Sequence, residues 1–182
     1  MIAHRTVPLA LALSLMACHT PTDAPAGPSL AAVGAPVASA SGGGHWFLTL
    51  PAEFGLPPIE QVLGFTARKS ADGSVGGQIE YQQRFLDFQL RFKATVTCMN
   101  VYDGNRVKYG GLITSSNDPD FPAGGYMWFQ GIDNGEGGSA SMDQSTGSGF
   151  GDEAANEAFC NTSTPPNPTF LAEINGDIHV NE

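Results

Sequence analysis

Residues 86–98 read LDFQLRFKATVTC, and this stretch alternates strictly between apolar and polar side chains. Seven apolar residues occupy every second position, and charged, amide or hydroxyl side chains stand between them. A period of two predicts a long β-strand with one buried and one solvated face, because a helix would spread these apolar residues around its circumference. A strand of this length is typical of an antiparallel barrel or a strongly coiled sandwich.

Turn signatures on both sides of this stretch separate further strands. The sequences ADGS at 71–74 and DGN at 103–105 favour tight turns between extended segments. We predict strands at residues 46–50, 62–69, 75–84, 106–114, 126–132 and 178–180, and a helix at 152–159 with Asp152 as its N-cap. The predicted fold class is therefore all-β: a single antiparallel β-barrel or coiled β-sandwich with at most one short helix.

The start of the chain has the pattern of a lipoprotein signal. The apolar run at 7–17 is too short to span a bilayer, and it ends in Leu15-Met16-Ala17-Cys18, which resembles a bacterial lipobox. The resemblance implies a signal peptide at 1–17, a lipid on Cys18 and an exported, membrane-anchored protein. His19, where an aspartate would favour the inner membrane, implies the outer membrane in a two-membrane bacterium. The alternative is an ordinary secretory signal with an incidental cysteine.

Composition divides the remaining chain into a tether and one domain. Residues 18–44 are rich in Pro, Ala, Gly and Ser and contain one acid and no Lys or Arg, which predicts a flexible tether behind the lipid. Residues 45–182 form the predicted β-domain. This length is enough for one hydrophobic core and too short for two.

The charge balance limits the choice of partners. The chain has 8 Lys and Arg against 18 Asp and Glu, a net charge of −10. No Lys or Arg follows Lys108, whereas eleven acids do. Such an acidic protein is repelled by nucleic acid, which we exclude as a partner. The expected partners are the membrane, through the lipid anchor, and an unidentified small molecule, glycan or envelope protein.

Two cysteines remain once Cys18 is assigned to the lipobox. Cys98 and Cys160 are an even pair in a chain with an export signal, and a disulfide is the default expectation for such a pair. Because Cys98 continues the alternation of Ala94 and Val96, we expect this disulfide on the inner face of the sheet.

The sequence IDNGEGG at 132–138, followed by Asp143, concentrates oxygen ligands and glycines after a predicted strand. Hard cations prefer such ligands, and the candidates are Asp133, Asn134, Glu136 and Asp143. Their spacing does not match an EF-hand loop. Two interpretations stay open: a glycine-rich turn without metal, and a weak calcium site.

The usual catalytic motifs are missing from the sequence. The chain contains neither a GxSxG nucleophile elbow nor a P-loop, so no catalytic residue is assigned. The favoured hypothesis is a non-catalytic, lipid-anchored envelope or cell-surface domain with a binding or structural role. Trp46, Tyr126 and Trp128 are candidates for its binding site, with core packing as the alternative. The competing hypothesis is an extracytoplasmic enzyme with glycosidase-type chemistry, whose acid/base pair would come from Asp133, Glu136 and Asp143.

Several short motifs together resemble a family of uncharacterised exported bacterial proteins. They are VTC at 96–98, DGN at 103–105, the Asp-Asn-Gly-Glu-Gly motif at 133–137, the late Cys160 and GDI at 176–178. The resemblance covers roughly residues 63–180 and implies an all-β domain with a shared disulfide. It also implies an apolar strand after Gln144, where this chain instead has STGSG at 145–149.

Overall fold

Ten strands and one short helix make up the described part of the chain. The structure is a computed structural model that describes residues 36–49, 55, 57–136, 141–165 and 171–182. The elements are β1 (Pro36–Leu48), β2 (Ile59–Ser70), β3 (Val75–Phe85), β4 (Phe88–Tyr102), β5 (Arg106–Ser116), β6 (Tyr126–Ile132), β7 (Gln144–Thr146), β8 (Gly149–Gly151), α1 (Glu153–Cys160), β9 (Leu171–Glu173) and β10 (Asn175–Asn181).

The strands form one antiparallel sheet in the order β10-β1-β2-β3-β4-β5-β6-β7-β9, and β8 pairs separately with β6. Only Ile174 separates β9 from β10, so the two outermost strands of this order are neighbours along the chain. The sheet therefore curls into a nearly closed barrel, and the predicted all-β fold class with one short helix is confirmed. In place of the apolar strand expected after Gln144, the chain forms two strands of three residues each, β7 and β8.

The register of the strands defines two ends of the barrel. The Pro36 end holds the start of β1, the turns at 71–74 and 103–105 and the loop between β6 and β7. The opposite Leu48 end holds the last residue of β1, the turn at 86–87 between β3 and β4, and the connection at 117–125 between β5 and β6.

The barrel interior is filled by aromatic side chains. The rings of Phe65 and Tyr109 stack with centroids 4.0 Å apart, and Phe129 lies 5.9 Å from Tyr109 and 5.3 Å from Tyr81. Phe92 continues the stack 6.1 Å from Tyr81. All five residues are buried. Burial of these large apolar surfaces, together with the ring contacts, is the main stabilisation that the sequence offers the fold.

Strand β4 confirms the middle of the alternation but not its ends, since Leu86 lies in the turn before the strand and Phe88 is exposed. Leu90, Phe92, Ala94 and Val96 all face the core. A register shift between Val96 and Cys98 then adds one residue to β4, as in a β-bulge. Met99 follows as the next core residue, and Cys98 bonds to α1 instead. The prediction that the disulfide lies on the inner face was wrong. The alternation of the sequence does not show where an extra residue moves the following side chains to the opposite face.

The boundary between tether and domain also differs from the prediction. β1 begins at Pro36, so residues 36–44 belong to the sheet and not to the tether. The composition of the run Gly42-Gly43-Gly44 is typical of a flexible tether. In the structure, however, the backbone of this run lies very close to the neighbouring strands. A Cβ at Gly42, where φ is +147°, would lie 2.8 Å from the Cα of Ile178 in β10. Glycine here allows the tightly coiled pairing of β1 with β10.

Helix α1 begins and ends one residue later in the sequence than predicted, and it has the predicted N-cap. The Asp152 carboxylate accepts a hydrogen bond from the Ala155 backbone N–H at 2.9 Å. The helix packs on the outer face of β4, β5 and β6. A Cβ at Gly110 would clash with the Asn156 side-chain oxygen, so this glycine in β5 permits the close approach of α1. The disulfide between Cys98 and Cys160 then joins the helix to β4.

Candidate functional site

The loop at the Pro36 end brings Asp133 and Asp143 together along the edge of β10. An Asp143 carboxylate oxygen, Oδ2, accepts a hydrogen bond from the Ile178 backbone N–H at 2.6 Å. Asp133 Oδ2 accepts one from the Val180 N–H at 3.0 Å. These two N–H groups belong to the side of β10 that is not paired with β1. The two carboxylates therefore act in place of the carbonyl groups of a neighbouring strand, and we call this arrangement the carboxylate seam.

The second oxygen of each carboxylate is also engaged. Asp143 Oδ1 accepts from the Asn134 N–H at 2.8 Å, and Asp133 Oδ1 accepts from the Gly135 N–H at 2.8 Å. The Asn134 side-chain amide donates to the Met142 carbonyl at 2.7 Å. All four carboxylate oxygens of the seam thus accept backbone N–H groups. Such charge-assisted hydrogen bonds offset the repulsion between the two acids without a cation.

Asp143 is 5% exposed, and its protonation reflects opposing influences. Burial is the largest and raises the pKa of the carboxyl group above its ordinary value. The nearby Asp133 charge and a hydrogen bond with Asp177 raise it further, whereas the N–H groups of Asn134 and Ile178 lower it. The net direction is upward.

Glu136 is not part of the carboxylate seam and lies instead within a different group of side chains. His179 Nδ1 lies 3.3 Å from Glu136 Oε1, and His179 Nε2 lies 3.0 Å from Asp177 Oδ2. Among the described residues these three offer ligand atoms within 4.8 Å of one another, close enough to share an ion. The four predicted calcium ligands are therefore split between two places, and calcium binding stays a prediction. The sequence did not indicate Asp177 and His179, because only the pairing of β10 with β1 brings them to this end.

The three aromatic candidates for a binding site do not come together. Trp46 is buried in the core. Trp128 stacks on Phe159 of α1, with ring centroids 5.8 Å apart. Tyr126 lies at the Leu48 end in a pocket of about 300 Å³ that it shares with Phe121. Partial burial and then the Glu153 carboxylate raise the pKa of Tyr126. Packing accounts for Trp46 and Trp128, and Tyr126 borders a cavity.

Lys108 has a structural position that the sequence did not reveal. It is 3% exposed, and its Nζ donates to Thr162 Oγ1 at 2.6 Å and lies 5.0 Å from the ring centroid of Phe159. Burial lowers the pKa of Lys108. Both contacts lie at the C-terminal end of α1, where a cation is favoured by the helix dipole. A lysine at a polar position of a strand normally reaches solvent, so no sequence signal distinguishes this one.

A groove on the outer face of β2, β3, β4 and β5 has a volume of about 580 Å³. We call it the outer groove. It is lined by Val62, Gly64, Gln82, Arg91, Lys93 and Ser115. A Cβ on Gly64 would meet no atom within 4 Å, so the groove stands open above this residue. The sequence does not reveal the groove, because its side chains form the polar half of each alternating strand and such positions normally face solvent.

Comparison with known proteins gives no relative. No family model matches the chain, and no curated protein or solved structure is significantly similar to it. The resemblance to a family of exported proteins therefore stays a prediction from motifs. No helix in the described ranges is long and apolar enough to cross a bilayer. The predicted signal peptide, Cys18 and most of the predicted tether lie outside the described residues.

Proposed function

We propose that this protein is a non-catalytic β-domain that is held outside the cytoplasm by a lipid on Cys18 and binds a ligand on its outer surface. The apolar run that ends at Cys18 supports the anchor. Because β1 begins at Pro36, 17 residues separate the lipidated cysteine from the sheet. A flexible chain of this length has a mean span of roughly 23 Å, enough to hold the barrel clear of the lipid headgroups.

The carboxylate seam is the observation that carries the non-catalytic part of the proposal. A glycosidase-type enzyme needs two carboxyl groups that face a substrate across a cleft. Asp133 and Asp143 instead direct all four oxygens at backbone N–H groups. Their role in this proposal is to complete the barrel. The stacked aromatic interior supports the same view, since a ligand of this barrel has to bind outside.

The distribution of charge supports an orientation relative to the membrane. The tether enters at the Pro36 end, where the acids Asp72, Asp103, Asp133 and Glu136 outnumber the bases Arg68, Lys69 and Arg106. Anionic headgroups repel these carboxylates. We therefore place the Pro36 end towards the membrane but not in contact with it, and the Leu48 end and the outer groove towards the surroundings.

Replacement of Cys18 by serine tests the anchor. Wild-type protein should fractionate with membranes, enter the detergent phase and incorporate labelled fatty acid. Cys18→Ser protein should do none of these. Met16→Leu is the matched control, because it keeps an apolar residue at the tolerant position of the lipobox and should leave all three results unchanged. Membrane association of Cys18→Ser equal to that of wild type would contradict the proposal.

A further inference from the structure

We propose that the outer groove binds an acidic oligosaccharide, with Arg91 recognising a sugar carboxylate. This inference rests on the proposed function and specifies its ligand. The groove has about 580 Å³, a size typical of ligand sites, and it lies on the face of the barrel farthest in the sheet order from the seam.

The charge of the groove is opposite to that of the protein. The whole chain has a net charge of −10, but the groove contains Arg91 and Lys93 against one acid, Glu80. Lys93 Nζ lies 2.9 Å from Glu80 Oε1, so these two charges compensate each other. The guanidinium of Arg91 donates to the Gln89 side-chain oxygen at 2.9 Å and has no carboxylate partner among the described residues. One positive charge in the groove is thus available to an anion.

The backbone around Arg91 is held by Asn117. The Asn117 side-chain oxygen accepts from the Arg91 N–H at 2.7 Å, and the Asn117 amide donates to the Gln89 carbonyl at 2.7 Å. Asn117 therefore bonds the segment after β5 to β4 and forms one wall of the groove. A wall held in this way reduces the entropy that binding would cost.

The other lining groups suit a saccharide. Gln82 and Ser115 offer an amide and a hydroxyl group to sugar hydroxyls, and Val62 with Gly64 offers a small apolar surface to the C–H groups of a sugar ring. A guanidinium binds a carboxylate with two parallel hydrogen bonds. One uncompensated cation matches one carboxylate per sugar better than it matches a doubly charged phosphate. The ligand class is therefore a uronic-acid-type oligosaccharide.

Titration of the purified full chain with oligogalacturonate tests the assignment, by calorimetry at low and moderate salt. We expect binding that weakens with salt. The methyl ester of the same oligosaccharide, which keeps the hydroxyl groups and loses the charge, should bind at least tenfold more weakly. Arg91→Gln should reduce the affinity for the acid form to a similar extent and should leave the affinity for the ester unchanged.

Two glycines provide a matched pair of blocking variants. Gly64→Phe places a ring in the groove, and Gly76→Phe places the same ring on β3 outside it. A Cβ meets nothing within 4 Å at either position, so both variants should keep the wild-type circular dichroism spectrum. Gly64→Phe should abolish binding and Gly76→Phe should retain it. Equal binding by both variants, no binding by wild type, or equal affinity for the ester would overturn the assignment.

Polyglutamate distinguishes a saccharide from an acidic peptide. Binding of polyglutamate as tight as that of oligogalacturonate would overturn the saccharide assignment. Failure of this inference is separable from failure of the proposed function. If the protein is correctly lipidated but does not bind the oligosaccharide, only the assignment of the groove is contradicted. If Cys18→Ser protein still binds both membranes and the sugar, only the lipid anchor is contradicted.

Discussion

The carboxylate of Asp143 accepts the backbone N–H of Ile178 at 2.6 Å and so joins the loop after β6 to the last strand of the sheet. Ile178 is fully buried, and its N–H has no access to water if this bond is lost. A side chain therefore completes the backbone hydrogen bonding of β10 at the point where the barrel would otherwise remain open.

Removal of this carboxylate should destabilise the protein strongly. We expect Asp143→Ala to lower the free energy of unfolding by about 3 kcal/mol, because it breaks two charge-assisted hydrogen bonds and leaves a buried N–H group without a partner. Urea denaturation measures the loss. Glu173→Gln, an exposed acid on β9, is the control and should change stability little.

The destabilisation caused by Asp143→Ala should be equal in calcium and in EDTA. A melting temperature of wild-type protein that rises clearly with millimolar calcium would favour the metal site instead.

The raised pKa of Asp143 predicts a specific dependence on pH. The folded protein holds the Asp143 proton at pH values where the unfolded chain, with a pKa near 3.8, has lost it. The contribution of this group to stability is therefore fully present below that pH and decreases as the pH rises through the folded pKa. The melting temperature of wild type minus that of Asp143→Asn should therefore decrease as the pH rises above about 3.8. A constant difference would contradict the upward shift.

The protein should be more stable with phenylalanine in place of Tyr109. The hydroxyl group of Tyr109 is buried and has no hydrogen-bond partner within the described structure, while its ring stacks on Phe65. Tyr109→Phe keeps the stack and removes the unpaired group, so we expect a gain of about 1 kcal/mol. Tyr81→Phe is the matched control, because the Tyr81 hydroxyl donates to Gln83 at 2.9 Å and its loss should destabilise. Thermal unfolding should show a higher melting temperature for Tyr109→Phe and a lower one for Tyr81→Phe. A lower melting temperature for Tyr109→Phe would indicate that the Tyr109 hydroxyl group has a hydrogen-bond partner.

The Cys98–Cys160 disulfide closes a sequence separation of 62 residues. The chain-entropy model gives about 4 kcal/mol for a loop of this length. The double variant Cys98→Ala with Cys160→Ala should melt well below wild type, whereas Cys18→Ser should melt like wild type. Alkylation before and after reduction, followed by mass spectrometry, should show both cysteines only in the reduced sample. Free Cys98 in the exported protein would contradict the bond.

Leu86 occupies a backbone conformation that disfavours its side chain. Its φ is +53°, and its side chain is 66% exposed in the turn between β3 and β4. Left-handed conformations cost a bulky residue about 1 kcal/mol, and asparagine adopts them more readily. Leu86→Asn should therefore raise the melting temperature, and Asp87→Asn in the same turn should not. A lower melting temperature for Leu86→Asn would mean that the leucine makes stabilising contacts.

The alternation at 86–98 was sufficient to predict a long half-buried strand of an all-β fold, because burial of one face of a strand is a local property of the sequence. It failed at Cys98, where an extra residue moves the cysteine to the opposite face. It also failed at Gly42, since a glycine run has the same composition in a flexible tether and in a tightly coiled strand. Only the partner strand, with the Cα of Ile178 2.8 Å from a hypothetical Cβ, distinguishes the two.

The candidate site was less predictable than the fold. Of the four predicted ligands Asp133, Asn134, Glu136 and Asp143, the structure keeps Asp133, Asn134 and Asp143 together and places Glu136 with Asp177 and His179. The sequence could not reveal that the hydrogen bonds of Asp133 and Asp143 include N–H groups of Ile178 and Val180, because that contact depends on barrel closure. The outer groove arises from four strands that each appear polar on one face, so only the assembled sheet defines it.

The pairing of Ser39 with Asn181 has a practical consequence for protein engineering. A fusion partner joined after Asn181 would emerge beside the point where the chain enters the sheet, and with a lipid on Cys18 it would lie between the barrel and the membrane. The same adjacency allows a short linker to connect Asn181 to Ser39 in a circular permutant. New termini at Leu86 and Asp87 would then attach the barrel by its opposite end and reverse the surface that it displays.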